Sequence, residues 1–529
     1  SVWLCVSDSG HFLAFPGEHS HWLNMRTIIE ELVRRNHKVT VLVPDASPSV
    51  NYNSSRDAAK FNFLVFKVPF SRSDMNNIMQ DFIQFSMYKA HNSSLLDRFL
   101  VPLTIMGKFS QIGKQQCHAM LKNQQLMATL RDAAFDVVIL DPMVVCGDLV
   151  ADVLGVPLVL SLRFSFGSTL ERHCGQAPMP ASFIPASPLP YSDHMTFGER
   201  LVNMLTYTGM SVLSELTWKM TLDSFYTEIK GSPSSFCSSL GRADVWLIRT
   251  FWDIETPRPI PPNFFYVGGL HCRPANQLPE DLEAFMQSSG DAGVVLVTFG
   301  SMVTNLSPDR ANVIASALGR LPQKVIWRYR GKTPATLSPN TKLFDWIPQN
   351  DFGSFLKNKT FTIRALFHGV PVVGIPLFGD QPDNLARLSR RGAAVVLHFN
   401  HMTVDELEQA LHAVINEPSF RSNMQQLSLL QQQQPVAPLS TAAFWLEFVM
   451  RHGGAKHLRL ASHDLYWFQY YSLDTGVTML LIIAAGMFGW VIVCVCGFIY
   501  LRCFIRAAPL NTQIYKQEVA NMNEKPPSG

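Results

Sequence analysis

The apolar positions near the start of the chain change from the spacing of a strand to that of a helix and back. HFLAFP (11–16) and KVTVLVP (38–44) are short apolar runs that predict two buried strands. The apolar residues between them recur at helical spacing: Met25, Ile28, Ile29, Leu32 and Val33. This order predicts a βαβ unit, in which the two strands are parallel.

The rest of the first half continues this pattern. Further apolar runs predict three strands: VVIL (137–140), PLVLSL (157–162) and VWLIRT (245–250). Residues 70–125 are rich in Phe, Met and Leu and are predicted to be helical, whereas the prolines of 176–190 predict a loop. The stretch 257–279, also rich in proline, is interpreted as a linker between two domains.

The second half repeats the alternation of strands and helices. Its apolar runs predict strands at 294–301, 324–329, 360–363, 370–376 and 394–399. A helix is predicted at 308–320, and Thr403 with Glu406 forms the capping box of another. Two such halves predict an α/β fold of two doubly wound domains, 10–265 and 280–445, with a cleft between them.

Two of these predicted strands lie unusually close together in the sequence. Only the six residues RALFHG separate Thr360–Ile363 from Val370–Ile375. A parallel connection takes about a dozen residues or more, and six helical residues advance only about 9 Å. The spacing therefore indicates that part of an ordinary crossover is absent here.

Residues 475–501 contain no charged side chain. This run is longer than the ~20 residues that span a bilayer, so a transmembrane helix is predicted at 475–503, with a buried core helix as the alternative. Arg502 and Arg506 follow the run, and a group of aromatic residues precedes it. That arrangement favours a cytoplasmic tail at 504–529, with the rest of the chain on the other side of the membrane.

Other features bear on the compartment and on the class of partner. Residues 1–9 resemble the end of a secretory signal peptide. Glycosylation triplets begin at Asn53, Asn92, Asn305 and Asn358. Nine cysteines are too few for a disulfide scaffold in a chain of this size, and their spacing predicts no metal site. The net charge of +3, without a basic stripe, predicts no nucleic-acid partner.

In the first half, polar residues follow two predicted strands at the edge where open α/β sheets bind ligands. His21 lies near the start of the helix after strand 11–16, where the helix dipole disfavours a charged imidazolium. Asp141 directly follows strand 137–140. A histidine that donates one ring N–H to a carboxylate is a general base held in place, so this pair is a candidate catalytic site. The alternatives are an ordinary histidine and an aspartate that caps a helix.

The second half has its own polar residues beyond strand ends. Gly300 and Ser301 end the run 294–301, where free backbone N–H groups could receive a phosphate. Loop and strand-end positions also hold the pairs Trp346 and Gln349, and Asp380 and Gln381. Together they predict a nucleotide-sugar pocket with an aromatic face, phosphate donors and polar groups for hydroxyls. Taken singly, they could be an ordinary strand–helix turn, a half-buried tryptophan and a helix cap.

Several segments resemble those of the UDP-glucuronosyltransferases, membrane-anchored members of the UDP-glycosyltransferase family: FPGEHSHWLNM, VTFGSM, DWIPQND, HGVPVVGIPLFGDQPDN and EFVMRHGGAKHLRLASHDLYWFQYYSLD. The resemblance implies a GT-B fold with an N-terminal acceptor domain and a C-terminal donor domain. It also implies inverting, metal-free transfer of a sugar, by default glucuronate, from a UDP-sugar to a lipophilic hydroxyl. The implied setting is the endoplasmic reticulum membrane, with a lumenal catalytic part that contacts lipid and pairs with itself or with related transferases.

The same resemblance assigns a role to each candidate residue. His21 is the base that deprotonates the acceptor, and Asp141 steadies the imidazolium. On the donor side, Trp346 stacks on uracil and Gln349 binds the nucleoside. The phosphates lie at Gly300 and Ser301, and the sugar is held by Asp380 and Gln381.

One departure from the family pattern accounts for the short connection. The family has a THGGxNG loop and a helix with a glutamate between the two strands, and about eight of these residues are absent here. His368 and Gly369 match a later HG of the family and not the phosphate-binding HGG. Hydrogen bonds to charged groups contribute about 1.5–3 kcal/mol each, so losing two would weaken donor binding by ~10²–10⁴. The alternative function is therefore a catalytically silent splice form that binds lipophiles or pairs with active transferases.

Overall fold

The computed structural model describes residues 9–165, 169–187, 189–274, 276–300, 302–303, 305–347, 356–359 and 362–523. The chain divides into two compact units, the first ending at Leu460 and the second beginning at Ala461. The first unit contains both alternating halves, and the second contains the long apolar run.

Seven parallel strands form the sheet of the first half. They are β1 (His11–Phe15), β2 (Lys38–Pro44), β3 (Asn62–Phe66), β4 (Val137–Leu140), β5 (Leu158–Leu162), β6 (Val245–Ile248) and β7 (Phe264–Tyr266). Their order is β3-β2-β1-β4-β5-β6-β7, so the direction of strand addition reverses between β1 and β4. All predicted strands of this half are confirmed. The pattern missed β3 and also β7, which lies within the stretch interpreted as a linker.

Helices cover this sheet, as the helical spacing between strands predicts. They are α1 (Ser20–Arg34), α2 (Ser55–Ala58), α3 (Arg72–Gln84), α4 (Leu95–Leu121), α5 (Gln124–Asp132), α6 (Gly147–Leu154), α7 (Phe197–Thr221), α8 (Asp223–Lys230) and α9 (Phe236–Leu240). The helix α3 continues into a π-helical turn at Phe85–Lys89. The helical prediction for 70–125 is therefore confirmed.

The strands of the second half form two separate parallel sheets. The larger contains β8 (Val294–Val297), β9 (Lys324–Arg328), β10 (Thr341–Phe344) and β11 (Leu356–Lys359), in the order β10-β9-β8-β11. The smaller contains β12 (Val372–Gly374) and β13 (Ala394–Val396). The helices are α10 (Glu280–Gln287), α11 (Pro308–Gly319), α12 (Thr362–Phe367), α13 (Gln381–Arg390), α14 (Val404–Asn416), α15 (Pro418–Gln432) and α16 (Pro438–His452). The predicted capping box of Thr403 and Glu406 is confirmed at the start of α14.

The strand prediction for 360–363 is wrong at 362 and 363, and residues 360 and 361 lie outside the described residues. The strand β11 ends at Lys359, and Thr362 already belongs to the helix α12. Ile363, Leu366 and Phe367 have the i, i+3, i+4 spacing of an amphipathic helix, which competes with a strand in so short a run. Leu366 is fully buried in a cluster with residues of α15, so tertiary packing stabilises the helix. The short connection thus coincides with a break between the two sheets.

The side chains of the first sheet alternate between two core layers. Leu13 of β1 packs on one face, and its neighbour Phe12 packs on the other. The second face is covered by α1 and by α16, a helix that comes from the far end of the unit. Leu446 and Val449 of α16 are fully buried there. The chain therefore returns to its first sheet after completing the second half.

The second unit consists mainly of one long helix. The helix α17 (Trp467–Tyr470) precedes α18 (Leu473–Asn523). Within α18, Leu473–Arg506 is long and apolar enough to cross a membrane, and the predicted span 475–503 lies inside this range.

Two disulfide bonds cross-link segments of the first half. Cys117 is bonded to Cys146, and Cys174 is bonded to Cys237. The cysteine count gave no indication of these pairs, because too few cysteines for a scaffold can still form isolated bonds. Such bonds are typical of proteins that mature in an oxidising compartment.

Candidate functional site

The strand order brings the residues beyond β1 and β4 together. These strands are parallel neighbours, with Phe15 opposite Leu140. His21 Nδ1 lies 2.7 Å from Asp141 Oδ2. The side chain of Asp141 is 2% exposed and that of His21 is 17% exposed. The site therefore combines a buried carboxylate with a partly open imidazole.

Gly17 makes this close approach sterically possible. A Cβ atom at Gly17 would lie 2.9 Å from His21 Cβ and 3.2 Å from the carboxyl carbon of Asp141, so any side chain there would displace the pair. The next residue, Glu18, accepts a hydrogen bond from the Ser47 hydroxyl at 2.8 Å. This bond anchors the loop before α1 to the segment that follows β2.

His19 precedes α1 in a left-handed conformation, with φ of 54°. Such a conformation is uncommon for residues other than glycine, and strained backbone of this kind clusters at functional sites. Burial lowers the pKa of His19, and the neighbouring His21 lowers it further, although Glu18 opposes the change. The lowered pKa therefore disfavours a positive charge on His19 beside the candidate base.

Backbone groups hold the carboxylate of Asp141 in place. Met143 N–H donates to Asp141 Oδ1 at 3.0 Å, which leaves Oδ2 for the ring of His21. The carboxylate can only accept, so Nδ1 carries the proton and Nε2 carries the lone pair. His21 Nε2 makes no hydrogen bond with any described residue. Asp141 caps no helix, because α6 begins only at Gly147.

Asp380 and Gln381 lie beyond β12 at the start of α13. Asp380 occupies the N-cap position, but its side chain accepts no capping N–H. Its Oδ2 instead accepts a hydrogen bond from the side-chain amide of Asn384 at 2.9 Å. Gln381 Oε1 accepts the N–H of Leu377 at 2.9 Å, which closes the loop between strand and helix. The helix-cap alternative therefore describes the position of Asp380 and not the bonding of its carboxylate.

Gly300 and Trp346 are the other described candidates of the second half. Gly300 has a φ of 82°, a conformation that favours glycine, and its carbonyl accepts a hydrogen bond from Arg328. Trp346 follows β10 with 69% of its surface exposed, so its ring faces solvent and the half-buried alternative does not hold. Ser301 and Gln349 lie outside the described residues. Within the described ranges, no three His, Cys, Asp or Glu side chains are placed to hold a metal ion.

Arg163 connects the candidate residues of the two halves. It directly follows β5, and its Nη1 lies 3.4 Å from Asp380 Oδ2. The ring of the next residue, Phe164, lies 6.0 Å from the imidazole of His21, measured between ring centroids. Sequence reasoning missed Arg163, although the strand-end rule that found His21 would also have found it if applied to strand 157–162.

Aromatic contacts also join the halves near Asp380. Phe82 of α3 lies 5.5 Å from Phe378, between ring centroids, and Phe378 is two residues before Asp380. In the π-helical turn, the Tyr88 hydroxyl accepts the N–H of Ser307 at 3.0 Å. The first contact holds the loop that carries Asp380 against the first half, and the second holds the start of α11 there.

A group of five buried charged residues forms a further link, which we call the buried charge cluster: Glu171, Glu255, Arg258, Asp383 and Arg387. Arg387 Nη1 lies 2.8 Å from Glu255 Oε1, and Arg387 Nη2 lies 2.6 Å from Asp383 Oδ2. Arg258 Nη2 lies 3.1 Å from Glu171 Oε2. Since Asp383 and Arg387 belong to α13, the cluster ties that helix to the first half.

Burial and ion pairing act in opposite directions within this cluster. Burial favours the neutral form of Glu255, but Arg387 and Arg258 together hold its pKa below the ordinary value. For Asp383, burial outweighs Arg387 and raises the pKa to about 6. Glu255 therefore stays ionised to a lower pH than Asp383 does.

The pKa of Asp253, which is close in sequence to the buried charge cluster, predicts that the stability of the protein depends on pH. Burial raises the pKa of Asp253 to about 6, and its Oδ2 has no hydrogen-bond partner among the described residues. Because this pKa is higher in the folded than in the unfolded state, the folded state binds the extra proton between about pH 4 and 6. Stability from this group is therefore present at low pH and is lost as the pH rises through about 6.

We expect Asp253→Asn to reduce the fall in the free energy of unfolding between pH 4.5 and 7 by about 2 kcal/mol. Denaturant unfolding of the full chain in detergent, at several pH values, measures this. The matched control is Asp132→Asn, at an exposed position of α5. Parallel pH profiles for the wild type and Asp253→Asn would contradict the prediction.

The chain is similar in sequence to known sugar transferases. Residues 10–507 match a family model described as UDP-glucoronosyl and UDP-glucosyl transferase. The chain is 47% identical to UDP-glucuronosyltransferase 2A2 of Homo sapiens over 498 residues, which cover 91% of this chain and 90% of the relative. It is also 47% identical to UDP-glucuronosyltransferase 2A3 of Cavia porcellus, with 92% and 93% covered.

Solved structures agree with the fold. The calicheamicin glycosyltransferase CalG4 matches with a TM-score of 0.56 at 17% identity and covers 84% of this chain and 99% of its own. The glycosyltransferase VinC, solved in complex with dTDP, matches with a TM-score of 0.54 at 18% identity and covers 84% and 100%. The GT-B fold that the sequence motifs imply is thereby confirmed.

Proposed function

Because the chain belongs to the UDP-glucuronosyl and UDP-glucosyl transferase family, we propose that it transfers glucuronate from UDP-glucuronate to a hydroxyl of a small lipophilic acceptor. The observation that carries this proposal is the bond between His21 and the buried Asp141, at the same strand edge as an arginine that contacts Asp380. Arg163 thus connects the sheet edge that carries the candidate base with the candidate sugar-binding carboxylate.

The reaction begins when the acceptor hydroxyl gives its proton to His21 Nε2. The acceptor oxygen attacks the anomeric carbon of the sugar from the face opposite the diphosphate. The bond between that carbon and the diphosphate oxygen breaks, and UDP leaves with the electron pair, so the configuration inverts. Asp141 stabilises the imidazolium that forms, because its carboxylate already accepts the Nδ1 proton. No step requires a metal ion.

The second half binds the donor. The exposed indole of Trp346 stacks on uracil, and Gln349 contacts the nucleoside. Gly300 and Ser301, at the turn after β8, bind the phosphates of the donor. Asp380 and Gln381 bind sugar hydroxyls, since a carboxylate and an amide together accept and donate hydrogen bonds. UDP-glucuronate is a co-substrate, and no further cofactor is needed.

The cellular setting is the endoplasmic reticulum membrane. The helix segment Leu473–Arg506 anchors the chain in lipid, with the catalytic unit on the lumenal side and residues 504–529 in the cytoplasm. Two disulfide bonds in the first half support the lumenal orientation, because disulfides persist in oxidising compartments. In this setting the chain meets related transferases with which it can pair.

The test is the conjugation of a simple phenol by the full chain in detergent with UDP-glucuronate. We expect a phenyl glucuronide whose anomeric configuration, read by nuclear magnetic resonance, is opposite to that of the donor. A product with retained configuration would contradict the mechanism. Binding of UDP-glucuronate without any product would instead support the silent alternative.

A further inference from the structure

Arg163 occupies a position that the proposed reaction does not yet use. It lies beyond β5, at the same sheet edge as His21 and Asp141, and it contacts Asp380 of the second half. Its side chain is only 15% exposed, so its charge is largely withdrawn from water. A guanidinium buried at this position needs hydrogen-bond acceptors, which either the protein or a bound ligand supplies.

The described residues satisfy only part of the hydrogen-bonding capacity of the Arg163 guanidinium. Its side-chain hydrogen bond among the described residues runs from Nη1 to Asp380 Oδ2, and at 3.4 Å this bond is long. Arg163 Nε is buried and has no hydrogen-bond partner there, which is also true of Arg258 Nε and Arg387 Nε, but Arg163 Nη2 has no partner among the described residues either. A buried N–H without an acceptor is unfavourable, so a negatively charged acceptor at this edge would be favoured.

Two other buried arginines in this region have two carboxylate partners each. Arg387 is paired with Glu255 and Asp383, and Arg258 is paired with Glu171 and Glu255. Arg163, by contrast, uses one end of its guanidinium and leaves the edge formed by Nε and Nη2. That edge is a fork that matches the two oxygens of a carboxylate.

We propose that Arg163 binds the carboxylate of the donor's uronate sugar and so selects UDP-glucuronate over UDP-glucose. The inference rests on the proposed function, because it assumes that the sugar lies at Asp380 and Gln381. The two donors differ at one position, where glucuronate has a carboxylate and glucose has a hydroxymethyl group. Arg163 Nη1 remains near Asp380, and the Nε edge takes the sugar carboxylate.

The test compares both donors in the full chain in detergent, by calorimetric binding and by kcat/KM with a phenol. The wild type should favour UDP-glucuronate. Arg163→Gln should weaken binding of UDP-glucuronate by about 100-fold, the effect of losing a charge-assisted bidentate contact. It should change binding of UDP-glucose by no more than about threefold, the size of a long-range charge effect. Arg163→Lys keeps the charge but not the fork, so it should restore only part of the preference.

Arg200→Gln is the matched control, because Arg200 is an exposed residue of α7 and its loss removes the same charge from the same half. An equal loss for both donors in Arg163→Gln would show a purely structural role and overturn the inference, as would no loss at all. A wild type that prefers UDP-glucuronate in binding but transfers neither sugar would overturn the proposed function and support the inference. A wild type that binds neither donor would overturn both.

Discussion

His21→Ala should lower the kcat for glucuronate transfer to a phenol by about 10³-fold or more. A positioned general base contributes about 10²–10⁴ in rate, and alanine leaves no group that can take the acceptor proton. Because the side chain of His21 is partly exposed, its truncation should leave folding intact. Product formation under saturating donor and acceptor measures the effect, and thermal unfolding checks the fold.

The chain offers a close control for this variant. His173 Nε2 lies 2.6 Å from Glu215 Oε2, so it is also a histidine paired with a carboxylate in the first half. His173→Ala should leave kcat unchanged. The kcat of Asp141→Asn should lie between those of His21→Ala and His173→Ala. The imidazole keeps its place in this variant, but it loses the negative charge that stabilises its protonated form. Wild-type turnover in His21→Ala would rule out the proposed base.

Arg387→Met should lower the free energy of unfolding by about 3–5 kcal/mol. The methionine removes the cation that Glu255 and Asp383 share, and it leaves two buried carboxylates without that partner. Since Asp383 belongs to α13, the change should also loosen the helix that begins at Gln381. Denaturant unfolding of the full chain in detergent measures the loss, and UDP-glucuronate binding should weaken with it.

Arg320→Met provides the comparison at the surface. Arg320 also contacts two carboxylates, those of Asp405 and Glu408, but its side chain is 49% exposed. Exposed ion pairs are screened by solvent and contribute little to stability, so this variant should unfold nearly as the wild type does. Equal losses for Arg387→Met and Arg320→Met would mean that burial does not distinguish the two sites.

Particular residues show where sequence reasoning succeeded and where it failed. His21 and Asp141 were found because a general rule about strand ends applies wherever strands are predicted correctly. Thr362 was assigned to a strand because a run of a few apolar residues fits both a strand and a helix. Its helical state is stabilised by the burial of Leu366 against α15, a contact that no local pattern contains.

The buried charge cluster was missed for a similar reason. Glu255, Arg258, Asp383 and Arg387 read as ordinary charged residues in the sequence, since such residues are usually solvated. Their burial follows from the packing of α13 against the first half. The pairing of Cys174 with Cys237 was equally invisible, because it joins positions 63 residues apart.

The sequence by itself determined several of the local elements of this protein. The period of its apolar residues set β1, α1 and β2, one capping box began α14, and an uncharged run predicted the span within α18. Each of these depends on neighbours a few residues away, which is why a single sequence suffices. Its motifs also identified the family.

Only the tertiary structure decided which strand ends meet. His21 and Asp141 are 120 residues apart and Arg163 and Asp380 are 217 apart, yet each pair is in contact. Those contacts follow from the order of strands in the first sheet and from the packing of one half on the other. The strand order and the packing of the halves both result from burial of surfaces that are distant in the chain. Burial of this kind produces no periodic pattern in the sequence, so it cannot be predicted from one.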